Sequence, residues 1–259
     1  MPTLLLVRHG QASFGTDDYD RLSTLGHEQA ELLGRRLRTS IGSVDRVLSG
    51  RHRRHLETVR AVGRQLPAAA ADPEQLAGLD EYQMDAAAFA DGSAGLISEP
   101  GSASARDRAG AVLDLAVQRW LERPGSSGET YPEFGERVRS ALEEAASHPG
   151  TILVSTSGGV ISAIAAQLLG LDSRRWAALN RTVVNASLTK VLVGKRGWTL
   201  LTFNDHAHLE HDRRLITYRL PAPQPVAAAR YSWRRTCLAS FPVSRRGSSS
   251  RKSMRRGTL

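Results

Sequence analysis

Thr3-Leu4-Leu5-Leu6-Val7-Arg8-His9-Gly10 decides how this chain is read. An uncharged, largely apolar run breaks off at an arginine and a histidine. A run without polar alternation is what a strand buried on both faces requires, and such strands belong to parallel sheets. Open α/β sheets bind their ligands outside the carboxyl ends of the strands, where His9 falls. Arg8 beside it is costly to bury unless it meets an anion.

The pattern outward from this strand supports an α/β layer fold. Leu25, Leu32, Leu33 and Leu37 share one helical face over 25–38, with Thr24 as the expected N-cap and Arg35, Arg36 and Arg38 in the last turn. Residues 44–48 read as a second strand and 52–66 as a second helix, stopped by Pro67. The stretch 86–105 is rich in Ala, Gly and Ser and opens an insertion or lid taken to cover 86–130. Helices are expected over 106–123 and 133–147, around the turn Pro124-Gly125-Ser126-Ser127-Gly128. Thr151–Ser155 reads as a strand, and Gly158-Gly159 opens a helix over 160–169. Strands at 186–193 and 198–203 flank Gly194-Lys195-Arg196-Gly197 as a hairpin. Trp120, Trp176 and Trp198 are expected to pack in the core or lid.

The charge is divided unevenly. The 259 residues carry a formal net charge of +9, and the last 39 hold nine bases and no acid. The other 26 bases meet all 26 acids in residues 1–220, so the globular part is neutral. Residues 1–220 therefore read as one domain and 221–259 as a basic, low-complexity tail, whose composition predicts disorder. The tail reads first as an extension without selected function. Its arginines, with Tyr231 and Trp233, would otherwise suit nucleic acid, an anionic membrane surface or an acidic partner. A single cysteine, Cys237, excludes a disulfide framework and a cysteine-built metal site. No apolar run reaches the roughly 18 residues of a membrane span, and no signal core is present, so a cytoplasmic location is expected. The composition is silent on oligomeric state.

Three strand-to-helix junctions carry the chemistry. Arg8-His9-Gly10 is the first. Ser49-Gly50-Arg51-His52-Arg53-Arg54 is the second, where three arginines crowd a helix N-terminus that positive charge disfavours unless an anion compensates. Thr156-Ser157-Gly158-Gly159 is the third, where two glycines admit close approach to helix N–H groups. Convergence of all three at one sheet edge predicts a phosphate or phosphoester pocket. Taken singly, each is also satisfied by a bland reading as a capped strand end, a solvated basic face or a tight turn.

Leu6-Val7-Arg8-His9-Gly10-Gln11 resembles the opening motif of the histidine phosphatase superfamily, with its phosphoglycerate mutase-like three-layer α/β/α sandwich and mostly parallel sheet. Leu22-Ser23 through Gly26 to Gln29-Ala30 resembles that family's LS-x-x-G-x-x-QA helix start. Arg54 with Thr58 resembles its R-A-x-x-T-A motif, and Leu79-Asp80-Glu81-Tyr82 its acidic segment. Gly128-Glu129-Thr130 with Phe134 and Arg137 resembles its late helix. The resemblance implies that His9 is the nucleophile, forming a phosphohistidine that water hydrolyses. It implies that Arg8 and Arg54 clamp the phosphoryl oxygens. Glu81 would protonate the leaving alcohol and then activate water, which needs a raised pKa. Asp80 and Asp85 are neighbours able to supply or replace it. Gln11, Ser13 and Gly158 are expected to contact substrate or phosphate. No metal and no cofactor are implied, and the partner is a small phosphorylated substrate.

One position departs from the family pattern. Where S-H-G-G is usual, this chain has Ser157 before Gly158-Gly159. A hydroxyl still donates a hydrogen bond but brings no charge. His208, in the cluster His206, His208 and His211, is the candidate stand-in, against a reading of all three as surface histidines. His27, His52 and His55 read as helix-surface residues. Hydrolysis is preferred over mutase transfer because nothing after Gly10 resembles the mutases' Glu-Ser-x-Trp-Asn stretch. A non-catalytic phosphoester-binding module, motivated by Ser157, is a third reading, and a nucleic-acid-associated protein acting through its tail a fourth. If Ser157 is a handicap, Ser157→His should raise turnover of an aryl phosphate. No gain there, with loss in His208→Ala, would instead mark His208 as the stand-in.

Overall fold

The structure, a computed structural model, describes residues 1–13, 20–66, 72–84, 105–122 and 128–218. A six-stranded sheet runs in the order β3-β2-β4-β1-β5-β6. Its strands are β1 (Thr3–Arg8), β2 (Arg46–Ser49), β3 (Glu74–Gln75), β4 (Thr151–Thr156), β5 (Leu188–Gly194) and β6 (Gly197–Asp205). The four strands from β3 to β1 pair in parallel, and β5 and β6 add antiparallel. The helices are α1 (Thr24–Ser40), α2 (Arg53–Gly63), α3 (Ala105–Glu122), α4 (Tyr131–Ala146), α5 (Gly158–Leu168) and α6 (Ser173–Thr182).

The period of two along β1 builds the three layers. Leu4 and Leu6 face a core shared with Phe134, Val138 and Leu142 of α4, Val160, Ile161 and Ile164 of α5, Trp176 of α6 and Trp120 of α3. Leu5 and Val7 face the opposite core, with Ala30, Leu33 and Leu37 of α1 and Val59 and Val62 of α2. Both faces of the central strands are thus covered, which is why β1 reads as a continuous apolar run. This is the expected mixed α/β sandwich.

Local chemistry sets most boundaries. The N-cap of α1 is Ser23, not Thr24, because its side chain accepts from Gly26 N at 3.0 Å. A capping box opens α4: Thr130 and Glu133 satisfy each other's backbone. Helix α2 begins at Arg53 and ends at Gly63, earlier than Pro67 alone would dictate. The hairpin is confirmed, with Gly197 at φ +107°. Helix α6 and the short strand β3 are additions to the sequence reading. Trp120 and Trp176 are buried as expected, and Trp198 packs at the edge of the same core. The turn at 124–127, most of the insertion expected at 86–130 and the tail at 221–259 lie outside the described residues, although α3 within that insertion packs into the core. Among the described residues, no helix is long and apolar enough to cross a membrane.

Two glycines let the first loop lie against α1. A Cβ at Gly10 would lie 2.3 Å from the Gly26 carbonyl oxygen, and one at Gly26 would lie 2.2 Å from that of Gln11. Glycine inside a helix normally costs about 1 kcal/mol relative to alanine. Here the sign should reverse: Gly26→Ala is expected to destabilise by about 1–3 kcal/mol through backbone overlap. Urea unfolding measures it, and a gain in stability would show that the loop yields easily.

Candidate active site

Strands β2, β4 and β1 are neighbours and run in the same direction, so their carboxyl ends share one edge of the sheet. The three junctions singled out in the sequence therefore meet. His9 follows β1, Arg54 opens α2 after β2, and Ser157 with Gly158 opens α5 after β4. Arg8, His9 and Arg54 are all buried.

The backbone of His9 is held on three sides. Its N–H donates to the Thr156 carbonyl at 2.9 Å, and its own carbonyl accepts from Asn185 Nδ2 at 3.0 Å. Ala186, in the left-handed region at φ +56°, turns its N–H to the carbonyls of Arg8 and His9. The next peptide is fixed by Thr58, whose Oγ1 accepts from Gly10 N at 3.0 Å and donates to the Arg54 carbonyl at 2.7 Å. The four-residue spacing of Arg54 and Thr58 thus ties the arginine's helix to the histidine's loop.

The ring is fixed as well. His9 Nδ1 lies 2.7 Å from the Gly10 carbonyl oxygen. A carbonyl only accepts, so Nδ1 carries the proton, and Nε2 of the neutral ring keeps its lone pair. Burial holds the His9 pKa well below the ordinary imidazole value; the guanidiniums of Arg54 and Arg8 and the ring of His55 push in the same direction, against the Gly10 carbonyl.

The cations around it are placed by opposite means. Arg8 Nη1 donates to the Val183 carbonyl, and its Nε lies 3.5 Å from where a Gly158 Cβ would be. A side chain at 158 would press on Asn180 Oδ1, 3.2 Å from that Cβ, and touch the guanidinium. Arg54 Nη1 pairs with Asp20 Oδ1, while Asp20 Oδ2 accepts from Arg53 N at 2.9 Å. An acidic side chain thus meets both this guanidinium and the N-terminus of α2.

Glu81 lies against α5. A Cβ at Gly159 would lie 2.0 Å from Glu81 Oε1, so the carboxylate rests on the first turn of α5. Arg137 positions this segment: Nη1 donates to the carbonyls of Ala77, Gly78 and Asp80, and Nε and Nη2 grip Glu129 at 2.5 and 2.8 Å. Tyr82 stacks on Trp120 with centroids 5.1 Å apart, and Trp176 Nε1 donates to the Gly159 carbonyl at 3.1 Å. Asp80 is committed elsewhere, both oxygens accepting from Arg51. Asp85 lies outside the described residues.

The remaining expectations divide. Gln11 is engaged structurally, its Oε1 accepting from Ser23 Oγ at 3.0 Å and its N–H donating to Gln29 Oε1 at 2.8 Å. Ser13 is buried beside it, its N–H on the Arg21 carbonyl. His208 is not brought to this group. Its neighbours are Arg36 of α1, Asp205, His206 and the Ala186 backbone, and desolvation there lowers its pKa to about 4. His55 corrects the reading of a helix-surface residue. It is fully buried, its ring centroid is 5.6 Å from that of His9, and its Nε2 lies 2.7 Å from Ser157 Oγ. The signal was present: α2 buries Thr58, Val59 and Val62, and 55 falls on their face at helical spacing. The proximity of His55 to Ser157 also changes the expectation for Ser157→His, since a ring now stands against that side chain. His52 remains half-buried as the N-cap of α2, and His27 keeps a side chain 39% exposed. Among the described residues, no three of His, Cys, Asp and Glu gather to hold a metal ion.

Two arginines beside a neutral, half-bonded imidazole, at a sheet edge where two helices begin, are suited to transferring a phosphoryl group. The family model for the histidine phosphatase superfamily (branch 1) matches residues 4–206, and the chain belongs to that superfamily. Solved structures share the fold. A mutant phosphoserine phosphatase from Entamoeba histolytica, in complex with phosphoserine, superposes with a TM-score of 0.57 at 16% identity, covering 81% of this chain and 100% of the other. A phosphoglycerate mutase from Bacillus anthracis str. Sterne gives 0.56 at 20%, covering 80% and 94%. A protein described as a putative α-ribazole-5′-P phosphatase from Escherichia coli K-12 gives 0.56 at 22%, covering 80% and 98%. No curated protein sequence matches at a significant level.

The buried imidazoles make stability depend on pH. Burial and nearby arginines hold His9 and His55 well below the ordinary imidazole pKa, and His208 is at about 4. Above pH ~6.5 these rings are neutral in both folded and unfolded chains. Below it the unfolded chain takes up protons that the folded one refuses, so stability falls as pH drops from about 6.5 toward the folded values. Each fully buried ring contributes up to ~1.4 kcal/mol per pH unit in that window. Urea midpoints at pH 7.5 and 5.0 should show the loss, and His55→Leu should flatten it.

Proposed function

We propose that this protein is a phosphatase that hydrolyses a small phosphomonoester through a phosphohistidine on His9. The observation that carries this reading is the Nδ1 contact of His9 with the Gly10 carbonyl, which leaves Nε2 as a neutral nucleophile between Arg8 and Arg54.

The substrate's phosphoryl group would replace Asp20 on Arg54 and lie against Arg8, with the first N–H groups of α5 directed at its oxygens. Nε2 attacks phosphorus in line, and the P–O bond to the alcohol breaks as Glu81 delivers a proton to the leaving oxygen. Glu81, now a carboxylate, takes a proton from water. That water attacks the phosphohistidine, the P–N bond breaks, and inorganic phosphate leaves with His9 neutral again. Arginine suits the clamp because it stays charged when buried and donates in a planar fork.

Mutase transfer uses the same nucleophile, and the fold is shared by phosphatases and mutases alike. Hydrolysis is preferred because the first loop of this chain lacks the mutase-like stretch.

His9→Ala should abolish hydrolysis of 4-nitrophenyl phosphate, and an acid-labile phosphoenzyme should form with the wild type alone. Glu81→Gln should slow an alkyl phosphate by about 10²–10⁴-fold in the phosphorylation step. It should slow the nitrophenyl ester less, because that leaving group needs no proton. Equal losses on both esters would remove Glu81 from the role of acid.

A further inference from the structure

His55 and Ser157 are 102 positions apart in sequence and touch through Nε2 and Oγ at 2.7 Å. Both are fully buried. Ser157 is the N-cap of α5, yet its hydroxyl caps no helix N–H. An N-cap serine ordinarily turns its oxygen inward to the second or third N–H of its helix. Here the hydroxyl is engaged by the imidazole, and the opening N–H groups of α5 are left to whatever occupies the pocket. Room for the ring is provided at the end of β2: a Cβ on Gly50 would lie 2.3 Å from His55 Nδ1. Among the described residues, that Nδ1 makes no hydrogen bond of normal geometry, and the Gly50 backbone interacts with the ring on that side. A fully buried imidazole whose Nδ1 is met by no well-formed hydrogen bond costs stability where a leucine would not, so packing alone does not account for it.

We propose that His55 is a positioning residue of the phosphoryl site, whose Nε2–H holds the Ser157 hydroxyl so that its hydrogen points at the phosphoryl oxygens beside His9. The direction of the chain follows from charge. Were Nε2 the acceptor, the hydroxyl hydrogen would turn inward and leave lone pairs facing an anionic guest. With Nε2–H as donor, the hydroxyl hydrogen is free to face the pocket. Burial above all, then Arg54 and His52, disfavours the imidazolium of His55 against the pull of the Gly50 backbone, so the donor is a neutral ring. The sequence places no imidazole next to Gly158; helix α2 supplies one from behind Ser157 instead. Ser157 is then the group that touches phosphate, and His55 acts only through it. This deepens the phosphatase reading and rests on it for the reaction, but not for anion binding.

A double-mutant cycle in the full chain tests the pair, with 4-nitrophenyl phosphate for turnover and inorganic phosphate for calorimetric binding. Ser157→Ala is expected to lower kcat by about 10²-fold, the usual cost of one transition-state donor, with KM little changed. His55→Ala should lower kcat by about tenfold or more, and the double variant should fall no further than Ser157→Ala alone. Where His55→Ala does not fold, His55→Leu fills the space without a donor and takes its place. The combined variant His55→Ala/Ser157→His should exceed both single alanine variants, whereas Ser157→His alone should fall below wild type because His55 stands in the way. Losses that multiply in full, wild-type kcat in a folded His55 variant, or wild-type kcat in Ser157→Ala would each overturn the proposal. A wild type that binds phosphate without turnover ends the phosphatase reading only. Phosphate affinity then decides: both single variants should weaken it by the same factor, about three- to tenfold, without adding, and equal affinity in all variants overturns the pair.

Discussion

A buried neutral imidazole between two buried guanidiniums is the constraint around which this structure is arranged. Arg8 and Arg54 cannot leave water without an anion or strong acceptors; the Val183 carbonyl is one that meets Arg8, and Asp20 meets Arg54. The same two charges, added to burial, keep His9 from taking a proton. In the proposed reaction, anion binding and nucleophile activation would therefore be one electrostatic arrangement. A tetrahedral dianion would relieve the guanidiniums and meet the nitrogen lone pair they preserve.

Parallel pairing delivers this arrangement. Because β2, β4 and β1 are adjacent and aligned, the residues after each strand emerge side by side. The glycines at these exits fit close neighbours, with Gly158 against Arg8, Gly159 against Glu81 and Gly50 against His55. Behind them, Arg137, Glu129 and the stack of Tyr82 on Trp120 hold the Glu81 segment, so the late-helix residues act on the site without entering it.

The layers, the sheet and the three exits were legible because each arises from local pattern. A two-sided buried strand shows as an apolar run, and helix caps and turn glycines punctuate the chain beyond it. Helix α6 was harder: its buried residues are Trp176 and Asn180, too sparse a stripe to announce itself. His55 reads as a surface residue because four of its near neighbours, Arg51, His52, Arg53 and Arg54, are polar. Composition suggested a solvated face, although its spacing from Thr58, Val59 and Val62 placed it inside. His208 is the sequence's candidate for the histidine that Ser157 replaces, yet the chain carries it to Arg36 and the Ala186 backbone.

By itself the sequence determined the class of fold, the strand exits that hold Arg8, His9 and Arg54 and the motifs of the family, since all of these are written in residues close along the chain. Only tertiary structure decided that Ser157 meets His55, that Asp20 meets Arg54 and that Glu81 lies on Gly159. Those contacts join segments tens to a hundred residues apart. Which distant side chains meet depends on strand order and helix placement, and no local pattern encodes that geometry.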